Sequence, residues 1–409
     1  MRLPCCLWLL GAIATAAAAP KRATPPPATL EDPCVEDGAV CKRHALDGFR
    51  LALAAQRAGK AAHPLRISYF GDSLTADDHI TGALRQKLQA QLGDGGPGFV
   101  FALSPHPYCQ HRAVSRVVGG GWEAFGVSTV VPGDHLLGLG GTAEGDGVIR
   151  FVPAARTVHT VDVHYLAQPR GGSLEILADG AVVAEVATAG EHKQSAFTGG
   201  VVVPDGTRRI ELRAQGRVRL FGASLEAASG AVVDNLGVVN GTAKAMHNNN
   251  LAEHWQNQLA HRAADLVVVM FGTNEAEWLR PKGAGMDEHE QLLGDLLATI
   301  RKASPQASCL VVSPLDQLDW REERMPPRDS IPAMVAAQRR AAQAHGCAFW
   351  DVYSWMGGRG ASRDWYRRGL VVKDFQHPTS EGAEQLAAAL FAGLVGSSAA
   401  SPPQQLGSR

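Results

Sequence analysis

"ISYFGDSLTAD" (residues 67–77) changes pattern halfway along. Leu65 to Phe70 is a short apolar run of the kind a buried strand makes. After Gly71-Asp72-Ser73-Leu74 the spacing turns helical, with Ile80, Leu84, Leu88 and Leu92 on one face of 76–92. A strand feeding a tight turn and then a helix is an α/β unit. Ser73 at that turn has two readings. A serine after a strand is a natural helix N-cap, because its hydroxyl accepts an otherwise unpaired N–H of the first turn. It is also a candidate nucleophile, since reactive groups of parallel α/β sheets collect at the carboxyl ends of strands. The readings can coexist, because the N–H groups and dipole at a helix N-terminus also favour an oxyanion.

Further along, the α/β texture stops and later resumes. Between about 115 and 227 lie short β-type runs such as "TVHTVDVHYL", "GSLEILADG" and "GRVRLFGASLEA", divided by Gly, Asp and Pro at roughly ten-residue intervals. That spacing predicts a β-sandwich inserted at 113–227. On either side, 38–112 and 228–396 form the two parts of one α/β domain. Buried strands are expected in "AVVDNLGVVNG" (231–241), "ADLVVVMFGTNEA" (264–276), "ASCLVVSPLD" (307–316) and "CAFWDVYSWM" (347–356). Helical stretches fall at 38–59, 284–302, 331–345 and 380–395. Continuous apolar strands alternating with helices imply a parallel sheet covered on both faces.

The 409 residues are 45% hydrophobic and 19% charged, an ordinary globular composition. With 39 Lys+Arg against 40 Asp+Glu, no basic field points to nucleic acid. Residues 1–19 place Arg2 before an apolar stretch that ends in small side chains, the build of a secretory signal peptide. It falls short of the roughly 20 residues needed to span a bilayer. Residues 20–37 read as a Pro-rich leader and 397–409 as a disordered tail. Beyond the signal, Cys34, Cys41, Cys109, Cys309 and Cys347 are odd in number, so at least one thiol has no partner within the chain; "PCVEDGAVC" suits a short disulfide loop. No CxxC or HExxH spacing is present, so neither a metal site nor a cofactor is expected.

The chemistry resides in a joint pattern. A serine hydroxyl becomes nucleophilic when a histidine takes its proton and a carboxylate holds that histidine. "DFQHP" supplies Asp374 and His377 on one segment. A developing oxyanion needs donors, and the Ser73 N–H, the Gly237 N–H and the Asn274 amide would supply three. Asp72, Asn240, Glu275 and Asp316 are possible substrate-binding residues. Asp319 and Trp320 could line the pocket or a solvated loop, and Trp122, His164 and Tyr165 could meet a sugar or fill the β core.

Four ordered blocks, "FGDSL" with Ser73, "NLGVVNG" with Gly237, "FGTNEA" with Asn274 and "DFQHPTSEG" with Asp374 and His377, resemble the SGNH (GDSL) esterases. The resemblance covers about 65–100 and 230–395. It implies a flavodoxin-like three-layer α/β/α domain with Ser73 as nucleophile, His377 as base, Asp374 as its orienting partner, and Ser73, Gly237 and Asn274 as oxyanion donors. Glu275 stands where the family carries Asp. The inserted β region is similar to that of bacterial peptidoglycan O-acetylesterases, where it is a carbohydrate-binding-like sandwich, although many of those carry His where this chain has Leu74. The resulting expectation is an exported, periplasmic or secreted serine esterase that removes O-acetyl groups from a carbohydrate such as peptidoglycan. Alternatives are a polysaccharide O-acetyltransferase, a lipid or aryl esterase, and a non-catalytic glycan-binding protein.

Overall fold

In the computed structural model, which describes residues 25–38 and 40–396, the apolar runs become strands of one six-stranded sheet. The signal-like segment 1–19 and the tail 397–409 lie outside the described residues. The sheet order is Leu30–Glu31, Ala348–Trp350, Ser308–Val312, Leu266–Met270, Leu65–Gly71, Ala231–Gly237. The last five are parallel, while Leu30–Glu31 runs antiparallel to Ala348–Trp350 and makes the sheet mixed. Numbered along the chain, the parallel strands lie in the doubly wound order 2-1-3-4-5. The order therefore reverses between 65–71 and 266–270, and sheets of this kind bind ligands outside the carboxyl ends of the strands at such a reversal.

Both faces of the strands are buried, which is why they read as continuous apolar runs rather than alternating ones. Ile67, Tyr69, Val268 and Leu310 enter one core with Leu84, Leu88 and Leu390. Phe70, Val267, Val269 and Val311 enter the other with Trp255, Leu296 and Met334.

The leader differs from a free tether. Ala28 is buried and donates its N–H to Ala389 O at 2.9 Å, and Leu30–Glu31 covers the sheet edge that Ala348–Trp350 would otherwise expose. Cys34–Glu36 pairs with Arg43–His44 around a Cys34–Cys41 disulfide, so the helix expected from 38 begins only at Asp47. A second disulfide joins Cys309 to Cys347, and Cys109 is a buried free thiol.

The β region forms a single ten-stranded antiparallel sheet instead of two separate ones. Gly141–Pro153 and Ile210–Glu226 are long enough to serve both halves, and a register shift between Ala214 and Val218 bends the second of them. Ile149, Phe151, Leu174 and Leu212 share one core with Val161, Val163, Ala223 and Leu225. The region begins before 113, because Gly98–Phe101 already pairs with Gly222–Leu225.

Buried charges tie the β region to the α/β domain. Asp234, fully buried, accepts from Ser68 Oγ at 2.7 Å, the Phe99 N–H at 2.8 Å, and Arg262 Nε and Nη2 at 2.7 and 2.9 Å. Arg262 Nη1 also reaches Glu226 at 2.6 Å, and Arg66 Nη2 reaches Glu226 at 2.7 Å. Burial raises both carboxyls, but Arg262 more than offsets it and holds them below their ordinary values. Replacing Arg262 by Met would leave Asp234 without its cation and Glu226 with one fewer, at a cost of about 3–5 kcal/mol. Urea unfolding followed by circular dichroism should show a lower midpoint with an unchanged slope. A midpoint equal to wild type would mean that the network contributes specificity but not stability.

Candidate active site

Ser73 owes its place to tight packing around the end of its strand. A Cβ on Gly71 would lie 2.2 Å from Thr75 Oγ1 and 3.0 Å from Met270 O, so no larger residue fits. The helix that follows, Ser73–Ala76, is a single turn, and its N-cap is Asp72, whose Oδ1 accepts the Leu74 N–H at 3.0 Å. The cap reading of Ser73 is thus corrected by one position, and the serine hydroxyl is spared for other work. Asp72, expected as a substrate-binding residue, is fully buried in that capping role. Burial raises its carboxyl, while the Leu74 N–H and Thr273 pull it back.

A folded-back loop presents the partners. Val371 and Pro378 form a β-bridge, Val372 N–H donates to His377 O at 2.9 Å, and Phe375, at φ 57°, packs on Tyr366 at the bend. Asp374 Oδ1 accepts the Gln376 and His377 N–H groups at 2.9 and 3.0 Å. Its Oδ2 lies 2.8 Å from His377 Nδ1. A carboxylate there requires the proton on Nδ1, which leaves the Nε2 lone pair facing Ser73 Oγ at 2.8 Å. The bond from Asp374 raises the His377 pKa above its ordinary 6.5, against burial, with help from the charges of Asp72 and Asp77. Burial raises Asp374, but the His377 and Gln376 hydrogen bonds prevail and lower it.

Asn274 follows strand 266–270 and donates one amide hydrogen from Nδ2 to Gly241 O at 2.8 Å. Its second amide hydrogen and the Ser73 N–H have no acceptor among the described residues. Gly237 differs from the expected third donor, since its N–H already donates to Asn235 Oδ1 at 3.1 Å. What the fold needs at 237 is the absence of a side chain, because a Cβ would lie 2.4 Å from Ala76 N and 2.6 Å from Thr75 C. Asn235 is a residue that the sequence reading missed. Its Nδ2 donates to Ala76 O at 3.1 Å and Gln110 O at 2.9 Å, which ties the Ser73 helix to the neighbouring strand. The available signal was a buried amide inside the apolar run "AVVDNLG".

The remaining expectations divide. Asn240 is exposed at a turn with φ 60° and holds nothing. Glu275 is buried: Oε1 accepts the Ala243 N–H at 3.2 Å, and burial pushes its carboxyl up to about 8. It braces the turn whose Gly241 carbonyl orients Asn274, and it is too enclosed to bind substrate. Asp316, also buried, accepts the Ser362 N–H at 3.0 Å and is structural. Asp319 pairs with Arg328. Trp122 and Tyr165 pack against the β core, and His164 is fully buried, so these three are not an open sugar platform. Tyr366, which is exposed, packs on Phe375 of the triad loop, and the exposed Trp278 and Trp320 lie on segments tied to that loop by side-chain contacts. Arg321 lies over Trp320 and pairs with Glu277, and Glu277 in turn accepts from Gln376, the neighbour of His377.

Residues 198–385 match the model of the GDSL-like lipase/acylhydrolase family. The matched span holds Gly237, Asn274, Asp374 and His377, while Ser73 lies outside it. Over that span the chain is similar to the GDSL-like acylhydrolases, a family of esterases. Its fold is similar to that of a peptidoglycan O-acetylesterase, with a TM-score of 0.73 at 24% identity over 85% of this chain and 95% of that one. An acetylxylan esterase from Geobacillus stearothermophilus matches 40% of this chain and 73% of its own, at 18% identity and a TM-score of 0.30. No curated protein matches by sequence.

A base at His377 Nε2 works only when neutral. Ester turnover should therefore fall as pH drops through a pKa above 6.5. Asp374→Asn removes the anion that raises this pKa, so the acid limb of kcat/KM should move to lower pH. Turnover at the plateau should drop about 10⁴-fold, since an amide selects the wrong tautomer. A limb that stays in place in a pH–rate profile would locate the base elsewhere.

Proposed function

We propose that this protein is an exported serine esterase that removes O-acetyl groups from a carbohydrate, peptidoglycan or another polysaccharide. The observation that carries the reading is the Ser73–His377–Asp374 relay, with links of 2.8 Å each, at the sheet's switch point. In this reading Ser73 Oγ attacks the acetyl carbonyl carbon while its proton passes to His377 Nε2. The carbonyl oxygen, now negative, accepts from the Ser73 N–H and the spare Asn274 hydrogen. When the C–O bond to the sugar breaks, His377 returns the proton to the departing hydroxyl. Water, deprotonated by the same nitrogen, then cleaves the acyl-enzyme and releases acetate.

Several features support the finer parts. His377 and Asp374 side chains are 38% and 40% exposed, so the relay is open enough to meet a polymer. Trp278 and Trp320, linked to the His377 loop through Glu277, offer flat apolar faces of the kind on which sugar rings rest. Two disulfides suit an oxidising compartment, as does the signal-like residue pattern at 1–19. Among the described residues, no helix is long and apolar enough to cross a membrane.

Ser73→Ala should abolish p-nitrophenyl acetate hydrolysis, by at least about 10⁴-fold, with the circular dichroism spectrum unchanged. The Ser73→Ala/His377→Ala double variant should be hardly worse than either single one, since relay members act as a unit. Additive losses would separate the two residues into different steps. Acetate release from acetylated peptidoglycan, acetylated xylan and a lipid ester tests the substrate. The glycans should be favoured, and Trp320→Ala should raise KM on them without changing turnover of the aryl ester. Preference for the lipid ester would overturn the carbohydrate reading.

A further inference from the structure

At the opposite end of strand Leu65–Gly71 from Ser73, the β region and the α/β domain enclose a cavity of about 240 Å³. Its wall carries the one group of residues with metal-binding composition among those described: Asp162 and His164 from strand Thr160–Ala167 and His261 from helix Ala252–Arg262. One donor atom from each lies within 4.8 Å of the other two. We propose that these three residues bind a zinc ion and that the ion clamps the β region to the α/β domain.

The surrounding contacts orient each ligand. His164 Nδ1 faces Gln258 Oε1 at 2.9 Å and must carry its proton there, which leaves the Nε2 lone pair with only the Ser224 hydroxyl, 3.5 Å away. Asp162 Oδ1 accepts the Gly199 N–H at 2.9 Å and Thr198 Oγ1 at 3.3 Å, leaving Oδ2 on the ligand side. His261 is fixed by stacking on Phe197, with ring centroids 3.6 Å apart, and its Nε2 lies 2.6 Å from Asp162 Oδ2. Carbonyl and amide partners that hold ligand rings in this way are the usual support of a metal site. Binding through His261 Nε2 moves that proton to Nδ1 or to solvent and replaces it with the ion.

Charge and geometry agree with a divalent cation. Arg66 and Arg262 line the cavity, but Glu226 and Asp234 engage them, and Asp265 accepts the Arg66 N–H. The carboxylates of Asp162, Glu226 and Asp234 outnumber the two guanidiniums. Two imidazoles and one carboxylate suit zinc, which binds such donors at about 2.0–2.2 Å and would put ligand atoms about 3.3 Å apart in a tetrahedron. Side-chain shifts of about 1 Å bring the three into place, with water in the fourth position. The separation from Ser73, one strand length or about 20 Å, makes the ion a clamp rather than a participant in ester cleavage.

The test uses the full chain without a histidine tag, stripped with chelator and titrated with zinc chloride in a calorimeter. One equivalent should bind and raise Tm, and p-nitrophenyl acetate turnover should not change. His261→Asn and Asp162→Asn, both at partly exposed positions, should each weaken binding at least tenfold and erase the rise in Tm. Cobalt(II) in place of zinc should give a tetrahedral visible spectrum in the wild type. Absence of stoichiometric binding by the wild type would overturn the proposal, as would binding unchanged in both folded variants.

Discussion

The contact between the one-turn helix Ser73–Ala76 and the strand Ala231–Gly237 is the constraint on which the site depends. The helix backbone lies so close to that strand that a methyl group at Gly237 would sit 2.4 Å from Ala76 N and 2.6 Å from Thr75 C, well inside van der Waals contact. Gly71 imposes the same limit on the other side, against Thr75 and the Met270 carbonyl. Asn235 then fastens the helix by its carbonyl end. A hydroxyl on such a turn has little freedom, so the geometry facing His377 is set before a substrate arrives.

Around this contact the polar groups are distributed by depth. Buried ones work as braces: Asp72 caps the Ser73 turn, Glu275 holds the turn behind Asn274, and Asp316 anchors Ser362. The half-exposed ones, Asp374 and His377, form the relay. A carboxyl that is buried without a cation tends toward its neutral form, as the raised pKa of Glu275 shows, whereas Asp374 stays ionised because three N–H donors converge on it. The same residue type thus serves as a neutral prop or as a charged orienter according to its donors.

Much of this was legible in the residues. The apolar runs at 65–70 and within 264–276 and 307–316 read as buried strands and are strands, and helical spacing gave 284–302, 331–345 and 380–395 nearly to the residue. The leader was less legible. Leu30–Glu31 carries no strong strand pattern, and it pairs because a sheet edge lies beside it. The arrangement of the β region was not legible either, since short alternating runs look alike whether two sheets face each other or one sheet bends across long strands. Among site residues, the sequence exposed the polar types but not their depth, and so Asp72, Glu275 and Asp316 looked like substrate contacts.

By itself the sequence determined the alternation of strands and helices, the break in that alternation, the presence of Ser73 and Asn274 after strands, and that of Asp374 and His377 just before the last helix. These follow from local periodicity and turn chemistry, which act over a few residues. Only the tertiary structure decided that Ser73 and His377, 304 residues apart, meet at 2.8 Å. It alone decided that the Gly237 N–H is already spoken for, and that Asp162, His164 and His261 face one cavity. Such relations depend on which strands become neighbours and how closely they pack, and that is fixed by burial of the whole chain rather than by any stretch of it.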